Sequence, residues 1–174
     1  ALQKLEASAV ASVEEGRTLV ILSDYDLPDD MMPIPALLAV SAVNQALVRK
    51  GLRSSASILV ETGEAREVHH MALLLGYGAT AINPYLAFET VADMVERKVL
   101  DTDADTAKAV ENYIEAICKG LLKIMSRMGI STLRSYRGAQ VFEAVGLNQD
   151  VIKQYFPGTI SRIGGIGLVE ICSE

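Results

Sequence analysis

Short apolar runs alternate with amphipathic stretches along this chain, and the alternation predicts a succession of β-α units. Leu2, Leu5, Ala9 and Val13 recur at helical spacing and stop at Gly16, a usual helix terminator. Thr18–Leu22 is a continuous apolar run, as expected of a strand covered on both faces of a parallel sheet. A loop, Ser23–Pro33, then carries Asp24, Asp26, Asp29 and Asp30. Pro35 suits the first position of a helix, where its missing N–H costs nothing, and that helix runs to about Lys50 before Gly51. Ser57–Val60 predicts a second strand, Glu64–Leu75 a helix, and Thr80–Ile82 a short third strand. Asn83-Pro84 opens a further helix through about Val99 by the cap-plus-proline route, and Asp101–Asp105 is a polar connection.

The longest helix spans roughly Asp105–Arg127. Ala107, Val110, Ile114, Ile117, Leu121, Ile124 and Met128 alternate at intervals of three and four, so one narrow seam faces a core or a partner, with Cys118 beside it. Ile130–Leu133 reads as a fourth strand, Gly138–Val145 as a helix and Gln149–Tyr155 as a second short one. Gly164–Gly167 opens a last helix that continues to the C-terminus. The order implies an α/β fold with a parallel sheet and a helical insertion after the third unit. Four strands are too few for a closed eight-stranded barrel. The chain is either a small doubly wound sheet or part of a barrel, and nothing divides residues 1–174 into more than one domain.

Composition narrows the classes of function. Among 174 residues, 16 are basic and 22 acidic, and there is no tryptophan. That balance argues against a nucleic-acid groove, which needs a basic stripe and often stacking aromatics. Two cysteines exclude a disulfide framework and a four-cysteine zinc or iron–sulfur site, which makes the composition intracellular and the expected location cytoplasmic. The longest apolar stretch, Ala36–Val48, is interrupted by Ser41, Asn44 and Gln45 and falls short of the ~20 residues of a membrane span. The N-terminus lacks a signal peptide's basic region and reads as a helix already under way. Mean hydropathy is +0.26, so surface is expected to be hidden against a partner, and the isolated chain is expected to self-associate.

The densest polar cluster is Glu61-Thr-Gly-Glu64-Ala-Arg66-Glu67-Val-His69-His70, at the edge of the sheet where α/β proteins bind ligands. Glu67 and His70 share a helix face and are able to supply two metal ligands, but the third is missing. The architectural reading has Glu61, Glu64 and Arg66 capping the helix and pairing with one another, while a histidine bonds backbone. The aspartates of the Ser23–Pro33 loop lack an EF-hand's glycine and terminal glutamate, so they read as a solvated loop. Arg134, Tyr136 and Arg137 offer either a clamp for a carboxylate or phosphate, or pairing with acids of a neighbouring domain. Gly164-Gly-Ile-Gly167 is a weak phosphate-loop candidate and a better turn or packing motif.

Longer segments carry a resemblance. Ser57-Ile-Leu-Val-Glu-Thr-Gly-Glu-Ala-Arg-Glu-Val-His-His70, Ile82-Asn-Pro-Tyr-Leu-Ala-Phe-Glu89, Lys119–Leu133, Ser135-Tyr-Arg-Gly-Ala-Gln140 and Tyr155-Phe-Pro-Gly-Thr-Ile-Ser-Arg-Ile163 resemble the C-terminal part of the central domain of the glutamate synthase large chain. The resemblance implies a partial, rudimentary TIM-barrel-like unit. It also implies a parent chain in which an amidotransferase domain hydrolyses glutamine with an N-terminal cysteine. Ammonia then passes internally to an FMN-binding barrel, which makes glutamate from 2-oxoglutarate. Residue 1 here is alanine, and none of the family's catalytic, flavin-binding or iron–sulfur residues maps onto this chain. What maps is scaffold, with no cofactor of its own. Its polar residues (Glu61, Glu64, Arg66, His70, Asn83, Arg134, Tyr136, Arg137 and Arg162) are candidates for contacts with the amidotransferase and FMN-binding domains. The alternative is a free-standing α/β module that binds a small anionic ligand or phosphate.

Overall fold

The computed structural model describes residues 1–28, 30–100 and 103–173. Asp29 of the acidic loop, Asp101 of the polar connection and the last residue lie outside the described set. Helix α1 (Leu2–Glu14) leads into β1 (Leu19–Ser23), α2 (Ala36–Arg49), β2 (Ser57–Glu61), α3 (Val68–Gly76), β3 (Ala81–Asn83) and α4 (Tyr85–Glu96). These strands form one parallel sheet in the order β1-β2-β3, with Ile21 opposite Leu59 and Leu59 opposite Ala81. Val20, Leu22, Ile58 and Val60 point into a core completed by Val40, Val43 and Leu47 of α2 and Met71 and Leu74 of α3. The opposite face is less covered. Leu19 and Ile21 are 59% and 63% exposed, so β1 is covered on one face and not on two.

Two boundaries move. Pro35 is the residue before α2 rather than its first residue, and α3 begins at Val68, not Glu64. Asn83 does not cap α4; it ends β3, and its amide is spent on Glu61. The 22-residue α5 (Thr106–Arg127) is capped by Asp105, whose carboxylate accepts from the Lys108 N–H at 2.8 Å. The middle of its expected seam packs on the core through Ile117, Leu121 and Ile124, together with the buried Met125. The ends of the seam do not: Ala107, Ile114 and Met128 are exposed. Gly120 lets α5 approach α3 closely, since a Cβ there would lie 2.6 Å from Val68 Cγ2.

Beyond residue 129 the sequence expectations fail more often. Ile130–Leu133 is not a strand. Thr132 accepts from the Ser135 N–H and caps the one-turn helix α6 (Leu133–Tyr136). The expected helix at Gly138–Val145 is instead loop followed by β4 (Glu143–Leu147). The helix at Gln149–Tyr155 (α7) is present. Gly164 and Gly165 lie inside β5 (Ile160–Ile166), so only α8 (Leu168–Ile171) follows them. Strands β4 and β5 pair in parallel, with register shifts, as a separate two-stranded sheet. A second core of Leu38, Ala42, Val151, Ile152, Tyr155 and Phe156 joins α7 to α2.

Candidate functional site

Parallel strands deliver their C-terminal residues to one edge, and the register aligns Ser23, Glu61 and Asn83 there. The Ser23 hydroxyl donates to Glu61 Oε2 at 2.6 Å, and the Asn83 amide donates to Oε1 at 3.1 Å. One position further on, Asp24 accepts from the Thr62 hydroxyl at 2.6 Å and from the Gly63 N–H at 3.0 Å. Thr62 is 1% exposed, and its oxygen also accepts from the Glu64 N–H at 3.1 Å. Asp24 therefore fastens the end of β1 to the turn after β2. Tyr85 stands beside it, and burial, reinforced by the Asp24 carboxylate, raises that phenol above its ordinary value.

Glu64 caps, but not its own helix. Its Oε2 accepts from the Ala36 N–H at 2.9 Å, so it satisfies the first turn of α2, where Pro35 supplies no side-chain acceptor. The expected mutual pairing of Glu61, Glu64 and Arg66 does not occur. The Arg66 backbone instead donates to His70 Nδ1 at 3.2 Å and accepts from the Tyr113 hydroxyl at 2.7 Å. His70 Nδ1 is thus an acceptor, and Nε2 lies 3.5 Å from Glu67 Oε1. His69 turns away and packs edge-on to Phe142. Among the described residues, no group of three or more histidine, cysteine or acidic side chains is placed to hold a metal ion.

An apolar hollow of about 390 Å³ adjoins this edge, lined by Leu5, Leu27, Met31, Met32 and Ile34, with Ser23, Asp24 and Glu61 at its polar side. The carboxylates of that edge are acceptors already occupied by hydroxyl, amide and backbone donors. Such an arrangement holds strand ends and turns in place.

The other expected residues lie elsewhere. Tyr136 is buried in the main core, whereas Arg134 is exposed and Arg137 half-buried at the opposite end of the sheet. Arg162 forms an exposed ion pair with Glu143 at 3.5 Å between β5 and β4. Gly167 offers no phosphate cradle, because its N–H donates to the Glu170 carboxylate at 2.8 Å. Backbone hydrogen bonds there hold Glu170 below the usual carboxylate range. Sequence reasoning missed Asp24 and Thr62. The signal available was their position, each the first residue after a parallel strand.

The chain matches the family model described as the glutamate synthase central domain over residues 1–148. It is 52% identical over 173 residues to the glutamate synthase [NADPH] large chain of Bacillus subtilis, covering 99% of this chain and 11% of that protein. It is 44% identical to the ferredoxin-dependent glutamate synthase of Pyropia yezoensis, covering 99% of this chain and 12% of the relative. The chain thus spans about a tenth of the length of the curated relatives it matches. Among solved structures, a flavocytochrome b2 variant with sulfite bound superposes with a TM-score of 0.61 at 17% identity, covering 85% of this chain and 37% of the other. DHODH of Eimeria tenella gives 0.51 at 14% identity, covering 81% and 35%. Both are TIM-barrel-type folds, so the sheet and helices described above follow part of such a barrel. With the family model covering most of its residues, this chain belongs to the glutamate synthase central-domain family.

Proposed function

We propose that this chain is a connecting, non-catalytic part of a glutamate synthase. In this reading it holds the glutaminase and FMN-synthase domains at a fixed separation and borders the path of ammonia between them. The parent reaction converts glutamine, 2-oxoglutarate and reductant into two glutamates in the cytoplasm, with FMN and the iron–sulfur cluster held by other parts of the chain. One observation carries the reading: the polar side chains at the ligand-binding edge of the sheet are consumed by mutual hydrogen bonds that tie Ser23, Asp24, Glu61, Thr62 and Asn83 together. The donor set also supports placing the flavin elsewhere, since the edge presents Asp24 and Glu61, which would repel a phosphate. The residues Glu64, Arg66, His70 and Arg162 then serve to shape loops rather than to turn over substrate.

The test separates the two half-reactions in the full-length protein. Glu61→Gln and His70→Ala are expected to leave glutamine hydrolysis and ammonia-dependent glutamate formation little changed. Loss of a general acid or base would instead cost about 10²–10⁴-fold in either rate. A loss of that size in one half-reaction would defeat the proposal. A change confined to the ratio of glutamine hydrolysed to glutamate formed would support it.

A further inference from the structure

The N-terminal ends of β1 and β2 open onto a cleft of about 890 Å³, at the end of the sheet opposite to the carboxylate cluster. Its walls include Arg53, Arg134 and Arg137 and the serines Ser54, Ser55 and Ser57, with no aspartate or glutamate. In a chain with six more acidic than basic residues (22 against 16), this is a notable segregation of charge. Arg53 is fully committed to the fold: it donates to Asn44 Oδ1 at 2.6 Å, to the Ala56 carbonyl at 2.7 Å and to the Gly78 carbonyl at 2.8 Å. Its position is fixed, but its charge is not neutralised. Arg134 and Arg137 have no carboxylate partner among the described residues. The Nε of Arg137 is buried with no acceptor among the described residues. Burial, and then the adjacent positive charge, hold Arg53 and Arg137 below their ordinary values, Arg53 through Arg137 and Arg137 through Arg134.

An unmet guanidinium N–H inside the protein is costly unless an acceptor arrives. The acceptor best matched to clustered arginines is an oxyanion that takes two N–H donors side by side. We infer that an acidic segment of a neighbouring domain of the same polypeptide docks in this cleft, with its carboxylates accepting from Arg134 and Arg137. The inference rests on the connecting role proposed above, and two observations favour this occupant. The curated relatives are about ten times longer than this chain, so each supplies further protein to cover it. The cleft is also walled by the residue before β1, the start of β2, α2 with the turn that follows it, and α6 with the segment after it, a span broader than one inorganic phosphate fills.

Carbodiimide coupling in the full-length protein tests the inference. Arg134→Lys and Arg137→Lys, made singly, keep the positive charge and add an amine that condenses with a carboxylate in contact with it. The wild-type arginines give no such product. Peptide mapping is expected to find an amide from position 134 or 137 to an aspartate or glutamate outside residues 1–174. Coupling only within residues 1–174, or none, would overturn the inference. So would suppression of the coupling by inorganic phosphate at constant ionic strength, since the cleft would then serve free anions. If coupling fails while Glu61→Gln and His70→Ala still leave both half-reactions little changed, the docking inference falls alone. If either of those variants also loses about 10²–10⁴-fold in one half-reaction, the connecting role falls with it.

Discussion

Asp24 shows how little side chain is needed to join two strands. One carboxylate receives the Thr62 hydroxyl and the Gly63 N–H, and Thr62 in turn receives the Glu64 N–H. Removing the acceptor strands a buried hydroxyl, so Asp24→Ala should cost about 1.5–3 kcal/mol, the usual worth of hydrogen bonds to a charged group. Urea denaturation with an unchanged slope and a lower midpoint would record this. Tyr136 behaves in the opposite way. Its hydroxyl is buried without a partner among the described residues, so Tyr136→Phe should leave stability equal or raise it by about 1 kcal/mol. A clear loss in the same assay would contradict that account.

The tyrosines also set a pH dependence. Burial first of all raises Tyr77, Tyr85, Tyr113, Tyr136 and Tyr155 above the ordinary phenol value of about 10. A raised phenol favours the neutral form in the folded chain. Its contribution is therefore whole below pH ~10 and is lost as pH climbs through that value toward the native ones. Melting temperature should hold through mildly alkaline pH and then fall. Tyr85→Phe should flatten the fall, because the Asp24 charge no longer opposes ionisation there. These pairings were not legible in the sequence. The polar cluster at Glu61–His70 was visible as a run, but its partners Ser23, Asp24 and Asn83 lie 38, 39 and 22 residues away. Only the register of parallel strands brings them together.

At the scale of the element, periodicity read the chain well through α5, because each helix there buries one stripe and each strand is bounded by polar turns. Reading failed where glycine stood inside strands. Gly164 and Gly165 suggested a helix entrance, yet β5 passes so close to β4 that a Cβ on Gly165 would collide with the Gly146 carbonyl. A backbone obstacle cannot swing aside as a flexible side chain does. Gly165→Ala should therefore disrupt the β4–β5 pairing, and faster amide exchange confined to residues 143–147 and 160–166 would show it. Ile130–Leu133 failed for another reason. Its apolar ends suggested a strand, but the Thr132 hydroxyl offers the Ser135 N–H a cap, and local capping prevailed over β-propensity.

The molecule as a whole follows part of a TIM-barrel-type fold, and its outer strand shows what that implies. Leu19 and Ile21 stand on a face that the described residues leave uncovered, beside Leu59 of β2. The resemblance supplied the family, and the barrel likeness followed from it, whereas the open face was hidden by the assumption that a continuous apolar run is covered on both sides. The isolated 174-residue chain is expected to associate as its concentration rises, and sedimentation velocity should show a growing weight-average mass. Ile21→Glu should reduce that association. A constant monomer mass across the range would refute the expectation.

One contact reaches further than the rest. The hydroxyl of Ser41, in the middle of α2, donates to the carbonyl of Tyr155 at the end of α7, 114 residues later. A two-stranded parallel ladder has little staying power alone, so β4 and β5 borrow theirs from α7 seated on α2. That makes the β4–α7–β5 unit a latecomer during folding: its docking platform must exist before it has anywhere to settle, and closing so long a loop is entropically slow. Ser41→Ala should therefore loosen that unit first, exposing residues 143–171 to protease while the three-stranded sheet stays protected.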